Sequence, residues 1–232
     1  TMKAAILVKQ DSDLIIDDVE LPRILDIGQV LVKLNISGIC GSQLGEIEGK
    51  KGIDPYLPHL MGHEGCGEVL KIGPGVKTVS VGDKVVLHWK KGSGIQSETP
   101  KYKWRGEKLN AGWVTTFNEY AVVSENRCTS IPININNDDA ALFGCAVTTA
   151  FGVVENNAKL RFGESVLVFG AGGIGLNIIQ ASKLTSAWPI IAVDIFDNRL
   201  ELAKKFGATH IINSEKENIE IALKKIIKEK SL

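Results

Sequence analysis

The sequence predicts a β-rich domain followed by an incomplete α/β domain, because the pattern of apolar residues changes near residue 150. Before that point, short strand-like runs are separated by glycine and proline, which is typical of a mainly β domain. After Ser165, apolar strands alternate with segments of helical periodicity, which indicates a parallel sheet covered by helices. We therefore predict two domains, residues 1–150 and residues 151–232.

Five runs in the first domain have the composition of strands: KAAILV, QVLVKLNI, GCGEVLKIG, GDKVVLH and FNEYAVVS. The stretch from Lys90 to Gly112 differs, since it is polar, contains glycine and lacks clear periodicity. It predicts a long surface lobe. Its aromatic and basic residues do not indicate a nucleic-acid surface, because the charge of the chain is balanced.

The second domain reads as strands and helices in alternation. The strands are SVLVFG, PIIAVDI and HIINS, and the helices are GIGLNIIQASKLT, NRLELAKKFG and NIEIALKKIIKEK. The last helix is amphipathic, and its predicted apolar face consists of Ile219, Leu223, Ile226 and Ile227.

Composition limits the classes of partner. The 232 residues carry 27 basic and 27 acidic side chains, so the chain lacks the basic excess expected of a protein that binds nucleic acid or an anionic membrane. No apolar run approaches the roughly 20 residues of a membrane span, and no signal-type segment begins the sequence. We expect a cytoplasmic protein that acts on a small molecule, with no nucleic-acid or membrane partner.

A glycine motif marks the first strand-to-helix junction of the second domain. It has the form G-x-G-x-x-G, which allows a tight turn and the close approach of a pyrophosphate to the start of the helix. An aspartate ends the next strand, where a carboxylate binds the adenosine ribose of a dinucleotide. The pattern predicts the first half of a Rossmann domain, with candidate cofactor-binding residues Gly170, Gly172, Gly173, Gly175, Asp194 and Arg199.

Asp194 also bears on the choice of cofactor. Its carboxylate would repel the 2′-phosphate of NADP, and Ile195 and Phe196 supply no compensating cation, so the sequence favours NAD. Arg199 is near enough in sequence to reach the adenosine ribose or a phosphate. An exposed arginine at the start of a helix is the alternative for that residue.

Three residues that are far apart in the first domain are suited to bind a metal ion: Cys40, His63 and Cys145. Two thiolates and one imidazole would leave a fourth tetrahedral position open, as a catalytic zinc requires. Taken singly, each cysteine is more often a small buried apolar residue. We expect that packing role for the two other cysteines, Cys66 and Cys128.

The sequences around these residues resemble the medium-chain, zinc-containing alcohol dehydrogenase family. The matching segments are GICGS at Gly38–Ser42, GHEGCGEV at Gly62–Val69 and GCAVTTAFG at Gly144–Gly152, with the dinucleotide motif after them. The resemblance implies a GroES-like β-rich catalytic domain that holds one zinc ion through Cys40, His63 and Cys145. It also implies that a Rossmann NAD-binding domain follows.

The resemblance assigns catalytic roles to three further residues. Glu64 corresponds to the acid beside the zinc-binding histidine, Ser42 to the hydroxyl that accepts the substrate's proton, and Thr149 to a residue near the nicotinamide. It implies hydride transfer between a secondary alcohol, polyol or sugar-like substrate and NAD. The alternatives are a zinc-free, NADPH-dependent reductase of the same superfamily and a non-catalytic fragment that binds zinc or a nucleotide.

The chain departs from the family pattern at several points. Gln43 replaces the aspartate that commonly orients the zinc-bound histidine, although its amide can still accept a hydrogen bond, and Gly45 replaces a histidine of the proton relay. The lobe contains no cysteine, so we predict no structural zinc. His59 and His88 have no partner pattern, and we expect both to be solvated or satisfied within the core.

Length is the largest departure. A six-stranded dinucleotide fold needs a second mononucleotide half, and the resemblance adds a closing segment that returns to the β domain, which together would be about a hundred residues beyond Leu232. We therefore expect the chain to be truncated at its C-terminus, and we expect a full-length form to be a homo-oligomer.

Overall fold

The computed structural model describes residues 1–230, which divide into two compact units, Thr1–Cys145 and a second unit that begins at Ala146. The division falls a few residues before the predicted boundary at 150. Each unit contains its own clusters of buried apolar residues. None of the helices within residues 1–230 is long and apolar enough to cross a membrane.

The first unit, which is described throughout, is mainly β, as predicted. Its strands are β1 (Met2–Leu7), β2 (Ile15–Val19), β3 (Gln29–Ser37), β4 (His59–Leu60), β5 (Glu64–Ile72), β6 (Lys84–His88), β7 (Tyr102–Trp104), β8 (Glu107–Leu109), β9 (Tyr120–Ser124) and β10 (Cys128–Ser130). Its helices are α1 (Gly41–Ile47), α2 (Asn137–Leu142) and a 3₁₀ turn, Glu125–Arg127. The strands form sheets with the orders β10-β6-β5-β3-β9 and β2-β1-β4, and β7 pairs with β8.

Strand β9 and the first four residues of β3 are largely buried on both faces, which explains their nearly continuous apolar sequences. Val30, Val32 and Val123 point into one core cluster. Val122, the neighbour of Val123 along β9, belongs to a second cluster together with Tyr102. Alternate residues of one strand therefore contribute to two different cores.

The segment from Lys90 to Gly112 is not only a surface lobe, and that part of the prediction is wrong. It contains the hairpin β7–β8, in which Tyr102 and Leu109 are buried. The Tyr102 hydroxyl accepts a hydrogen bond from the Val122 backbone N–H at 2.8 Å, and burial raises the pKa of Tyr102 to about 12. The buried side chains of Tyr102 and Leu109 hold this otherwise polar segment against the core, although its sequence has no strand periodicity.

The second unit is an α/β layer whose elements follow the predicted order. It contains α3 (Ala146–Gly152), a π-helical turn (Val153–Asn157), β11 (Val166–Phe169), α4 (Gly173–Leu184), β12 (Ile190–Asp194), α5 (Asp197–Phe206), β13 (His210–Asn213) and α6 (Ile219–Lys230). The three strands are parallel and lie in the order β11-β12-β13. This arrangement is the partial Rossmann fold that the alternating pattern predicted.

The central strand β12 packs against helices on both faces. Ile190 and Ala192 belong to a cluster with residues of α4 and α5, whereas Ile191 and Val193 belong to a cluster with α6.

The apolar face of α6 packs against the second face of β12 through Ile219, Ala222, Leu223 and Ile226. The prediction is wrong for Ile227, which is 56% exposed, because the stripe at i, i+3, i+4 and i+7 already covers the sheet.

The Glu125 carboxylate, just after β9, accepts hydrogen bonds from two loops of the first unit. Its Oε1 accepts hydrogen bonds from the backbone N–H groups of Lys77 and Thr78 at 2.5 and 2.7 Å, and its Oε2 accepts one from Ile95 at 2.8 Å. Burial alone would raise the pKa of Glu125, but these backbone donors outweigh it, so the pKa is lowered from 4.5.

We predict that Glu125→Gln lowers the free energy of unfolding of the first unit by about 2–3 kcal/mol at neutral pH, since an amide NH₂ would face a backbone donor. Because the folded-state pKa is lowered, the carboxylate stabilises the fold above its unfolded pKa and loses this effect as pH falls through the folded pKa. We expect urea unfolding, followed by tryptophan fluorescence, to show a difference in the free energy of unfolding between parent and variant. This difference should become smaller below about pH 4.

The exposed Glu68, substituted by Gln, provides the control and should leave stability unchanged. Equal stability of the parent and Glu125→Gln at pH 7 would contradict this role.

Candidate functional site

Two glycines allow three segments of the first unit to meet around Glu64. A Cβ atom at Gly144 would lie 2.2 Å from the Leu87 carbonyl oxygen and 2.8 Å from Glu64 Cβ, and one at Gly38 would lie 2.6 Å from Glu64 Oε1. Any side chain at Gly144 would force backbone apart, since these distances are far shorter than van der Waals contact. Glu64 itself is the first residue of β5 and is 3% exposed.

The three predicted metal ligands come together at this meeting point. Cys40 precedes α1 as its N-cap residue, His63 precedes β5, and Cys145 follows Gly144. The donor atoms of these residues all lie within 4.8 Å of one another, and Cys145 is buried. Two thiols and one imidazole at this spacing fit a zinc ion with one coordination position left for water or substrate.

The protonation state of His63 also suits metal binding. Burial lowers the pKa of His63, and the positive charge of Lys51 lowers it further. The neutral imidazole is the form that offers a lone pair to a metal ion.

Helix α1 places Ser42 and Gln43 beside Cys40. The Ser42 hydroxyl donates to Cys40 Sγ at 3.3 Å, and its residue is exposed. Gln43 is 2% exposed, and its Oε1 accepts a hydrogen bond from the Cys40 backbone N–H at 3.1 Å. The amide oxygen that we expected to be available to His63 therefore accepts from the backbone N–H of Cys40, and Gln43 Nε2 is buried without a partner among the described residues.

A cavity of about 620 Å³ opens beside this site within the first unit. Its wall includes Gln43, Glu46, Asp54, His59, His63 and Trp113. Glu46, Asp54 and His59 form a second cluster of possible metal-binding groups, which we call the carboxylate–imidazole cluster. Sequence reasoning missed it, since these residues match no short motif. Both ring nitrogens of His59 and of His88 have hydrogen-bond partners, as expected: Leu60 O and Asp54 Oδ2 for His59, and Lys90 O and Thr129 Oγ1 for His88.

The two remaining cysteines are packing residues, as expected. Cys66 and Cys128 are 0% and 4% exposed, and both belong to core clusters. Burial raises the pKa of both thiols, which keeps them protonated and unreactive.

The dinucleotide motif of the second unit spans the junction of β11 and α4. A Cβ atom at Gly175 would lie 1.8 Å from the Gly170 carbonyl oxygen, so the helix can start here only with glycine at that position. Gly172 is the N-cap residue, and Gly173 begins the helix with nothing within 4 Å of its Cβ position. The first backbone N–H groups of α4 thus border open space, as an anion site requires.

Asp194 lies at the end of β12 next to this motif and is 7% exposed. Its Oδ2 accepts a hydrogen bond from the Ala171 backbone N–H at 2.7 Å, and its Oδ1 accepts one from Phe196 at 2.9 Å. Burial alone would raise the pKa of Asp194, but these donors and Arg199 outweigh it and lower the pKa. Asp194 is therefore an ionised carboxylate beside the glycine-rich turn.

Arg199 and Thr149 complete the predicted set in the second unit. Arg199 Nη1 lies 3.8 Å from Asp194 Oδ2, and its guanidinium lies 4.8 Å from the centre of the Phe196 ring. Thr149 lies in α3 and is partly buried.

Comparisons with known proteins agree with this architecture. Residues 26–133 match the family model of the alcohol dehydrogenase GroES-like domain, and residues 173–231 match that of zinc-binding dehydrogenase. The chain is 35% identical over 213 residues to S-(hydroxymethyl)glutathione dehydrogenase of a Synechocystis strain, covering 80% of this chain and 57% of that relative. It therefore spans a little over half the length of the curated relatives that it matches.

Two solved structures share the fold over 97% of this chain and 67% of theirs. An alcohol dehydrogenase zinc-binding domain protein from Burkholderia ambifaria superimposes with a TM-score of 0.88 at 28% identity. Benzyl alcohol dehydrogenase from Acinetobacter calcoaceticus superimposes with a TM-score of 0.85 at 30% identity. With its GroES-like β unit and partial Rossmann unit, the chain belongs to the medium-chain, zinc-containing alcohol dehydrogenase family.

Proposed function

We propose that this chain supplies the zinc site and the first half of the dinucleotide site of an NAD-dependent alcohol dehydrogenase. Its substrate is a secondary alcohol, a polyol or a sugar-like alcohol, or in reverse the matching carbonyl compound. The observation that carries this proposal is the convergence of Cys40, His63 and Cys145, whose donor atoms lie within 4.8 Å of one another. The proposal concerns the whole protein, since the chain spans 57% of its curated relatives.

Cys40, His63 and Cys145 would hold the zinc ion. Zinc supplies a Lewis acid that lowers the pKa of an alcohol hydroxyl or polarises a carbonyl. The neutral state of His63, favoured by burial, and the thiols of Cys40 and Cys145 provide the donor set.

Ser42 is the group that takes the proton from the alcohol. Its hydroxyl lies 3.3 Å from Cys40 Sγ and is exposed, so it borders the metal site and also reaches solvent. The usual histidine of the relay is replaced by Gly45. Ser42 therefore passes the proton to water or to the cofactor ribose.

The second unit binds NAD, which supplies the hydride acceptor. The N–H groups at the start of α4 bind the pyrophosphate, while the ionised Asp194 binds the adenosine ribose and repels a 2′-phosphate. Arg199 assists at the ribose or a phosphate, and Thr149 lies near the nicotinamide by analogy with the family.

Loss of one thiolate should abolish metal-dependent activity. In the full-length protein, Cys145→Ser is expected to hold one zinc equivalent fewer than the parent, because a hydroxyl replaces a soft thiolate donor. We expect NAD-linked alcohol oxidation to fall at least about a thousandfold, which corresponds to roughly 4 kcal/mol. Elemental analysis and turnover assays measure both effects, with Cys66→Ala as the control cysteine. Unchanged zinc content and turnover in Cys145→Ser would contradict the proposal.

The Ser42 hydroxyl should matter for proton transfer without being needed to hold the metal. Ser42→Ala is expected to lower kcat about a hundredfold while zinc content stays at the parental value. Ser42→Thr keeps the hydroxyl and should retain most of the rate. Similar rates in all three proteins would exclude Ser42 from the proton path.

Cofactor choice should depend on Asp194. The parent should prefer NADH to NADPH, and Asp194→Ser should shift the ratio of the two affinities about 10- to 100-fold toward NADPH, since charge repulsion is removed. Fluorescence titration measures both affinities. Asp197→Asn is the matched control, because Asp197 is a nearby exposed carboxylate paired with Lys216. A parent that prefers NADPH would favour the zinc-free reductase instead.

A further inference from the structure

The carboxylate–imidazole cluster lies in the cavity wall of the first unit, apart from the two cysteines. His59 Nε2 lies 2.9 Å from Asp54 Oδ2 and 3.8 Å from Glu46 Oε1. The side chains of His59 and Asp54 are 9% and 10% exposed, and that of Glu46 is 35% exposed. Two carboxylates and an imidazole from three different parts of the chain thus converge on one small volume.

The hydrogen bond on the other side of the ring fixes the tautomer of His59. Nδ1 lies 2.9 Å from the Leu60 carbonyl oxygen, which can only accept a hydrogen bond, so Nδ1 carries a proton. Nε2 lies at hydrogen-bond distance from Asp54 Oδ2, so the position between the imidazole and the carboxylates can hold either the second proton of the ring or a metal ion. A backbone carbonyl that orients the second ring nitrogen is also the usual arrangement around a metal-bound histidine.

The carboxylate of Asp54 is held in position in the same way. Its Oδ1 accepts a hydrogen bond from the Tyr56 backbone N–H at 2.8 Å, which leaves Oδ2 directed at His59. The Asp54 backbone N–H is bound by Gln10 Oε1 at 3.1 Å, which secures the loop. A divalent ion in place of the Nε2 proton would balance the charges of the two carboxylates, of which Asp54 is 10% exposed and Glu46 is 35% exposed.

The spacing of the three atoms suits one metal ion. They lie 2.9 Å, 3.8 Å and at most 4.8 Å apart, so a point equidistant from all three lies about 1.9–2.4 Å from each. This range brackets the roughly 2.0–2.2 Å bonds of zinc to imidazole and carboxylate. Gln43 lines the same cavity, and its buried Nε2 has no hydrogen-bond partner among the described residues.

From this geometry we propose a second metal site, formed by Glu46, Asp54 and His59, that binds a divalent transition-metal ion through nitrogen and oxygen. The ion is of the Zn²⁺, Mn²⁺ or Co²⁺ class, since one imidazole and two carboxylates are borderline-to-hard ligands. The three ligands leave further coordination positions for water. The site shares no residue with the set Cys40, His63 and Cys145, so it does not depend on the proposed catalytic zinc.

Cobalt titration of the metal-free full-length protein tests this site, because thiolate ligands give cobalt a near-ultraviolet charge-transfer band and nitrogen–oxygen ligands do not. We expect two Co²⁺ equivalents, one with the thiolate band and one without it. Glu46→Gln and Asp54→Asn should each lose the equivalent that lacks the band. The retained thiolate band, together with the circular dichroism of the parent, shows that the variants fold.

The matched control is Glu48→Gln, which removes a carboxylate two residues from Glu46 and should keep both equivalents. Binding of a single equivalent by the parent, or a second equivalent that survives both Glu46→Gln and Asp54→Asn, would overturn the proposal. A missing thiolate band with the other equivalent present would contradict the proposed catalytic zinc and leave the second site supported.

Discussion

The close approach of three chain segments at Glu64 is the constraint on which the metal centre depends. Gly144 lies against the Leu87 carbonyl and the Glu64 backbone, and Gly38 lies against the Glu64 carboxylate. Because neither glycine has a side chain, the residues that follow them, Cys40 and Cys145, reach the histidine that precedes Glu64. The motif glycines therefore allow the chain segments to approach one another at Glu64, and this approach places the three metal ligands.

Much of the fold follows from periodicity in the sequence. In the second unit, the continuous apolar run Ile190–Val193 corresponds to packing against helices on both faces, and the three parallel strands occur in the predicted order. The sequence predicted Ile227 on the apolar face of α6, and its exposure was missed because it depends on how far the helix is rotated against the sheet. The burial of Tyr102 was not predicted because it depends on a distant strand, β9, and leaves no local pattern.

The candidate site was predictable in its ligands but not in its surroundings. Cys40, His63 and Cys145 lie in segments that resemble a known family, which is why residues so far apart in sequence were grouped. The role of Gln43 was not predictable, since its oxygen could bind either His63 or the Cys40 backbone and only the geometry of α1 decides. Glu46, Asp54 and His59 were missed because a helix, a loop and a short strand bring them together.

The central claim is that Cys40, His63 and Cys145 bind one zinc ion in a site with an open position. X-ray absorption spectroscopy at the zinc edge, on full-length protein loaded with one zinc equivalent, measures the ligands directly. We expect two sulfur neighbours at about 2.3 Å and nitrogen or oxygen neighbours at about 2.0–2.1 Å. A spectrum without sulfur neighbours, or with four of them, would contradict the account.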